Sequence, residues 1–182
     1  NGYEASKWRA EAQALASPLR PEIVRLAIVA GEEGTGAIAR PGALHAALRW
    51  YRRGLLPMVP GRPESPVDLI STDLVARFLA RLLVSPAEPG AIYHLSAGPA
   101  TARLDALLAL AADRCRVSDA RWARGQFTPP VIATRATFAA FRASVRASGD
   151  ALFNEVLASA DSFLPVLLHP KRPATARAER CW

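Results

Sequence analysis

A chain of 182 residues, 51% hydrophobic and 21% charged, can bury a core as one domain or as part of a larger one, and its composition is that of an ordinary soluble globular protein. Its longest apolar run is far short of the ~20 residues that span a bilayer, and no signal-peptide pattern is visible, so no membrane span and a cytoplasmic location are expected. The net charge of +7 is spread over arginines with no run beyond Arg52-Arg53, which disfavours nucleic acid as a partner, and Cys115, Cys181, His45, His94 and His169 lack the spacing of a disulfide framework or a metal site, so no metal is expected.

In chain order, residues 3–15 are predicted as a helix of good helix formers closed by Pro18. The apolar run "EIVRLAIVA" (22–30) is predicted as a strand buried on both faces. "GEEGTG" follows as a loop, and Pro41 opens a helix over 41–53 with Leu44, Leu48 and Tyr51 on one face. "GLLPMVPGRPESP" (54–66) holds four of the fifteen prolines and is expected to be irregular. "VDLI" (67–70) is a short strand. Ser71 or Thr72 then caps a helix whose apolar stripe is Leu74, Val75, Phe78, Leu79 and Leu82. "AIYHLS" (91–96) is a strand and 102–115 a helix. Helices around 135–147 and 149–160 and a tail after Leu168 complete the chain. Strands alternating with helices predict an α/β fold with parallel pairing, followed by a helical appendage.

Five groups of residues are candidates for chemistry. Tyr3 and Lys7, the latter one of only two lysines, stand one helical turn apart on the same face. An ammonium beside a phenol favours the phenolate, which suits the pair to passing a proton to or from a substrate oxygen. By spacing alone, a partly buried ring and a solvated amine are the preferred reading of the pair. The loop glycines Gly31, Gly34 and Gly36 follow a strand, but their order is not that of a dinucleotide fingerprint. Glu32 and Glu33 also stand where a pyrophosphate would approach, so a simple turn is the preferred reading. Ser71, Thr72 and Asp73 fit a helix N-terminus, and His94 fits a satisfied strand residue. Arg52-Arg53 fits a solvated helix end, or a contact to an anionic phosphate.

Taken together and in order, these segments resemble the extended short-chain dehydrogenase/reductase family, and within it the thioester-reductase and fatty acyl-CoA reductase-like branch. "GYEASKWRAE" resembles its active-site helix. Val29, Gly31 and Gly36 match a Val-x-Gly-x-x-x-x-Gly pattern at the end of the next core strand. The stretches 52–61, 67–83, 93–99 and 163–179 are similar to successive segments of the branch. The resemblance implies the C-terminal part of a doubly wound, Rossmann-like parallel sheet with a mostly helical substrate-binding subdomain. It places the NAD(P)-binding portion and substrate loop in 1–100 and the helical subdomain in 101–182. The family's glycine-rich phosphate loop lies upstream of the Tyr-x-x-x-Lys helix, so the chain is expected to be the C-terminal half of a larger reductase. By itself it is expected to be inactive and marginally stable.

Carried over by residue, Tyr3 is the expected proton donor and Lys7 the ribose-binding partner that lowers its pKa. Leu26, Ala27 and Ile28 border the nicotinamide, although Leu26 stands where the family often has proline after the arginine. The implied cofactor is NADP, with NAD as the alternative. The implied partner is a small-molecule, carrier-bound or CoA-bound acyl substrate, and oligomeric state is left open. Two alternatives accompany the reductase. One is a sugar-nucleotide epimerase or dehydratase, against which stand Ile28 in place of asparagine and Ala30-Gly31-Glu32 in place of Tyr-Gly-Pro. The other is a non-catalytic dinucleotide-sensing protein, against which stands the retention of Tyr3 and Lys7.

Overall fold

The apolar run 22–30 is two strands, not one, in the computed structural model, which describes residues 2–160, 163–168 and 173–181. His169, Lys171 and part of the stretch 163–179 lie outside the described residues, as does the side chain of Tyr3. The first half of the chain runs α1 (Gly2–Ala16), β1 (Ile23–Leu26), β2 (Ile28–Gly31), α2 (Ala43–Arg52), β3 (Met58–Pro60), β4 (Pro66–Val67), β5 (Leu69–Ser71), α3 (Thr72–Val84) and β6 (Ile92–Leu95). The second half adds β7 (Ala102–Arg103), α4 (Leu104–Ser118), α5 (Ala120–Ala123), β8 (Val131–Ala133), α6 (Arg135–Ser148), α7 (Ala151–Ala160), α8 (Leu164–Leu168) and α9 (Ala176–Glu179).

Two compact units interleave along the chain. The first comprises Asn1–Gly36, Leu69–Gly98 and Pro173–Trp182; the second comprises Ala37–Asp68 and Pro99–Arg172.

In the first unit β1 pairs in parallel with β6, Ile23 opposite Ile92 through Leu26 opposite Leu95. After Ala27 the chain changes partner, and β2 pairs in parallel with β5. α3 carries the chain from β5 to β6, the crossover that parallel strands require. Ser71 is the N-cap of α3, its hydroxyl accepting the Leu74 N–H at 2.9 Å. Phe78 is fully buried and meets Tyr93 edge-on, with ring centroids 5.8 Å apart. Ile70, Leu95 and Ala178 of α9 complete this core, with Leu74, Val75 and Leu82 packed against it. Leu79, expected in the stripe, is 41% exposed instead. Nor is the 22–30 stretch buried on both faces: Arg25 and Leu26 are exposed and its other strand residues, Gly31 apart, are half-buried. Each segment has one strand partner among the described residues, and Arg25 turns outward to an ion pair.

The second unit is mainly helical. The proline-rich stretch 54–66 is more ordered than expected: β3 pairs in parallel with β8, and β4 pairs antiparallel with β7. "VDLI" is divided at Asp68 between β4 and β5. Tyr51 stacks on Trp122 at 5.0 Å, and the Trp122 indole donates to the Arg52 carbonyl at 2.8 Å. Ala112 and Cys115 of α4 close that cluster. A second cluster joins Phe138, Leu157 and Leu164. α6 ends on Gly149 at φ 70°, the left-handed conformation that favours glycine after a helix.

The architecture is therefore mixed α/β with parallel strand pairs, a partial Rossmann-like fold with a helical subdomain. Among the described residues no helix is long and apolar enough to cross a membrane.

Candidate active site

All five residues singled out from the sequence, Tyr3, Lys7, Leu26, Ala27 and Ile28, fall in the first unit. Tyr3 and Lys7 lie on α1, where Glu4 in the first turn complements the helix dipole. Lys7 is exposed. Leu26 ends β1, is 46% exposed, and is the register partner of Leu95. Ala27 occupies the break and donates its N–H to the Leu95 carbonyl at 2.9 Å. Ile28 opens β2 opposite Leu69.

What connects the helix to the strand is a cluster the sequence did not disclose. Arg25 donates through Nε to Oε2 of Glu11 at 3.0 Å, and its Nη2 meets Oε1 of the same carboxylate. Bidentate pairing of this kind fixes geometry as well as charge. Glu11 stands one turn after Lys7 on α1, so the ion pair ties the helix that carries Lys7 to β1. α1 and β1 are joined by six residues, 17–22. β1 ends at Leu26. Catalytic and ligand groups of open α/β sheets lie at that carboxyl end.

Arg25 also reaches His94, its cross-strand partner, through Nη1 to Nε2 at 3.0 Å. A guanidinium only donates, so Nε2 accepts, and Nδ1 must carry the proton. That N–H points to the Ala174 carbonyl at 3.3 Å. A neutral His94 thus joins β1, β6 and the returning C-terminal segment, consistent with a satisfied strand residue. The hydrogen bond from Arg25 holds the Glu11 carboxyl below its ordinary pKa, and the same bond raises that of Arg25.

The glycine loop is organised around Glu33. Its carboxylate accepts from the Ser71 hydroxyl at 2.6 Å and from Arg77 at 3.1 Å, which together lower its pKa. Its backbone N–H donates to Asp73 at 2.8 Å. The N–H groups of Thr35 and Gly36 are taken by the carbonyls of Glu33 and Glu32. With these donors engaged and two carboxylates present, the loop is a turn tied to the start of α3. Arg53 lies over Trp50, 5.2 Å from the ring centroid, at the exposed end of α2.

Residues 1–79 match the NAD-binding family described as "Male sterility protein". A solved structure, the terminal R domain from the myxalamid PKS-NRPS biosynthetic pathway, superposes with a TM-score of 0.57 at 19% sequence identity, covering 87% of this chain and 36% of that one. The chain thus spans about a third of that solved chain, and at this identity the likeness is one of fold. No curated protein matches the sequence. The resemblance to the thioester-reductase branch of the extended short-chain dehydrogenases/reductases is borne out. The matched family points to a nicotinamide dinucleotide as the class of cofactor.

Proposed function

We propose that this chain provides the acid-base helix of an NADPH-dependent reductase acting on a carbonyl or acyl thioester. The observation that carries this reading is the family match over 1–79, the segment that contains every residue of the candidate site. The Glu11–Arg25 pair supports it, because it ties the helix that carries Tyr3 and Lys7 to the strand that ends at Leu26.

The residues present fit such a cofactor. Lys7 offers an exposed ammonium, and Leu26 offers half-exposed apolar surface at the carboxyl end of a parallel strand pair. Lys7 would hold a ribose hydroxyl, and Leu26, Ala27 and Ile28 would border the nicotinamide. The dinucleotide, when bound, supplies the hydride. The Tyr3 hydroxyl hydrogen-bonds the substrate oxygen, stabilises the negative charge that develops there, and delivers its proton to it. The Lys7 ammonium favours the resulting phenolate and so brings a phenol of ordinary pKa about 10 into the working range. From a thioester the products are an aldehyde and a free thiol.

NADPH consumption by the full-length protein with an acyl-N-acetylcysteamine thioester tests the reading. Thiol release matched to NADPH oxidation supports it. Binding of NADPH without turnover of any carbonyl or thioester would favour the dinucleotide-sensing alternative. Turnover of a nucleotide sugar without net NADPH loss would favour the epimerase.

A further inference from the structure

Of the described side chains of α1, Ala5, Glu11 and Ala14 are half-buried and the rest are exposed. No α1 residue belongs to the core that Phe78 and Tyr93 build on the strands. Of the three half-buried residues, only Glu11 has a side chain longer than a methyl, and Arg25 holds it. The placement of α1 therefore depends on what fixes Arg25.

Burial alternates along β6: Tyr93 and Leu95 are buried in the core, and His94 between them points to the other face of the strand. Arg25 is its register partner across the parallel pair, so the two side chains share that face. An arginine side chain has several free rotors. A carboxylate that takes Nε and Nη2 leaves Nη1 on the far side of the guanidinium. His94 Nε2 stands 3.0 Å from that third nitrogen, and His94 Nδ1 stands 3.3 Å from the Ala174 carbonyl. The guanidinium is thus gripped from both sides, and the imidazole that grips it is itself held by the backbone of the returning C-terminal segment.

We propose that His94 is a positioning residue: it holds Arg25 in the orientation that grips Glu11, and through that pair it holds the helix that carries Tyr3 and Lys7. Its effect on turnover rests on the reductase reading; its effect on α1 does not. The role requires His94 to be neutral with its proton on Nδ1, because a guanidinium offers no acceptor.

The test uses full-length protein with 15N-labelled imidazoles in mildly alkaline buffer, the His94 resonances being assigned by their loss in His94→Gln. The proton is expected on Nδ1; a proton on Nε2 in the folded protein would overturn the proposal. His94→Leu removes the acceptor. It should speed amide hydrogen exchange in α1 and lower kcat for acyl-thioester reduction several-fold. His94→Gln can present its side-chain carbonyl to Nη1 and should recover most of both losses, which a merely space-filling role would not allow. Adding Glu11→Gln to His94→Leu should lower kcat by less than the product of the single effects, since both act through Arg25. Unchanged α1 exchange in folded His94→Leu would overturn the proposal. So would unchanged kcat in an active enzyme, a His94→Gln as impaired as His94→Leu, or effects that simply multiply. If His94→Leu does not fold, the wild-type tautomer and α1 exchange in His94→Gln carry the test, raised exchange there counting against the role. Faster α1 exchange in His94→Leu with no turnover by the wild type would retain the hold on α1 and refute the reductase.

Discussion

Arg25 on β1 grips Glu11 on α1 with two hydrogen bonds to one carboxylate, Nε lying 3.0 Å from Oε2. Trp8, between Lys7 and Glu11, is 72% exposed. The ion pair therefore orients a helix much of whose surface is in water, and that helix carries both proposed catalytic side chains.

Glu11→Gln should cost little stability, within about 1 kcal/mol, because the pair is partly exposed. Its effect should fall on turnover, with kcat lowered several-fold as the helix that carries Tyr3 and Lys7 loosens. The pH dependence has a definite sign. The folded carboxyl has a lowered pKa, so its stabilisation is complete above the unfolded value near 4.3 and is lost as pH falls through the lower folded value. Urea melts in acid should show this loss in the wild type and a smaller one in Glu11→Gln.

Ser71→Ala removes the cap of α3 and a donor to Glu33 together. A loss of about 1 kcal/mol is expected from the cap. In a double-mutant cycle with Glu33→Gln, the two changes should be non-additive, since both act on one hydrogen bond. Additive urea-melt values would disconnect the loop from the helix start.

Gly54 sits at φ 70°, and a Cβ there would lie 2.5 Å from Cδ1 of Phe127. Gly54→Ala combines left-handed backbone strain with a clash against a ring, so a loss of roughly 2–3 kcal/mol is expected. Thermal melts check it, and Phe127→Leu in the same chain should restore part of the loss.

Tyr93 is buried and donates to Glu22 at 3.2 Å; desolvation and that carboxylate push its pKa up to about 12. Because the folded pKa is raised, the contribution is present below the unfolded value near 10 and is lost as pH rises toward 12. Tyr93→Phe should lessen the alkaline drop in stability seen by circular dichroism. Tyr51, raised to about the same value by burial, accounts for a residue of it.

Much of this was legible locally. α3 could be read from Ser71 and its stripe, because a cap and a helical period are contained in a dozen residues. The Tyr3/Lys7 spacing was legible for the same reason. The break at Ala27 was not: nothing in the nearly continuous apolar character of "EIVRLAIVA" marks it, and only its two partners, β6 and β5, distinguish the halves. β3 was hidden by the prolines around it, and its pairing with β8 joins residues more than seventy positions apart. Likewise Glu11, Arg25 and His94 show no motif, since the cluster exists only once β1 lies beside β6. The interleaving of 37–68 with 99–172 in one unit is also a matter of long-range packing, which no local pattern encodes.

The central claim is that Tyr3 delivers the proton. The measurement is NADPH-dependent reduction of an acyl thioester by full-length protein carrying Tyr3→Phe, with cofactor affinity determined in parallel. The account predicts reduction lowered by at least about a hundredfold with NADPH binding retained. Full activity in Tyr3→Phe would contradict it.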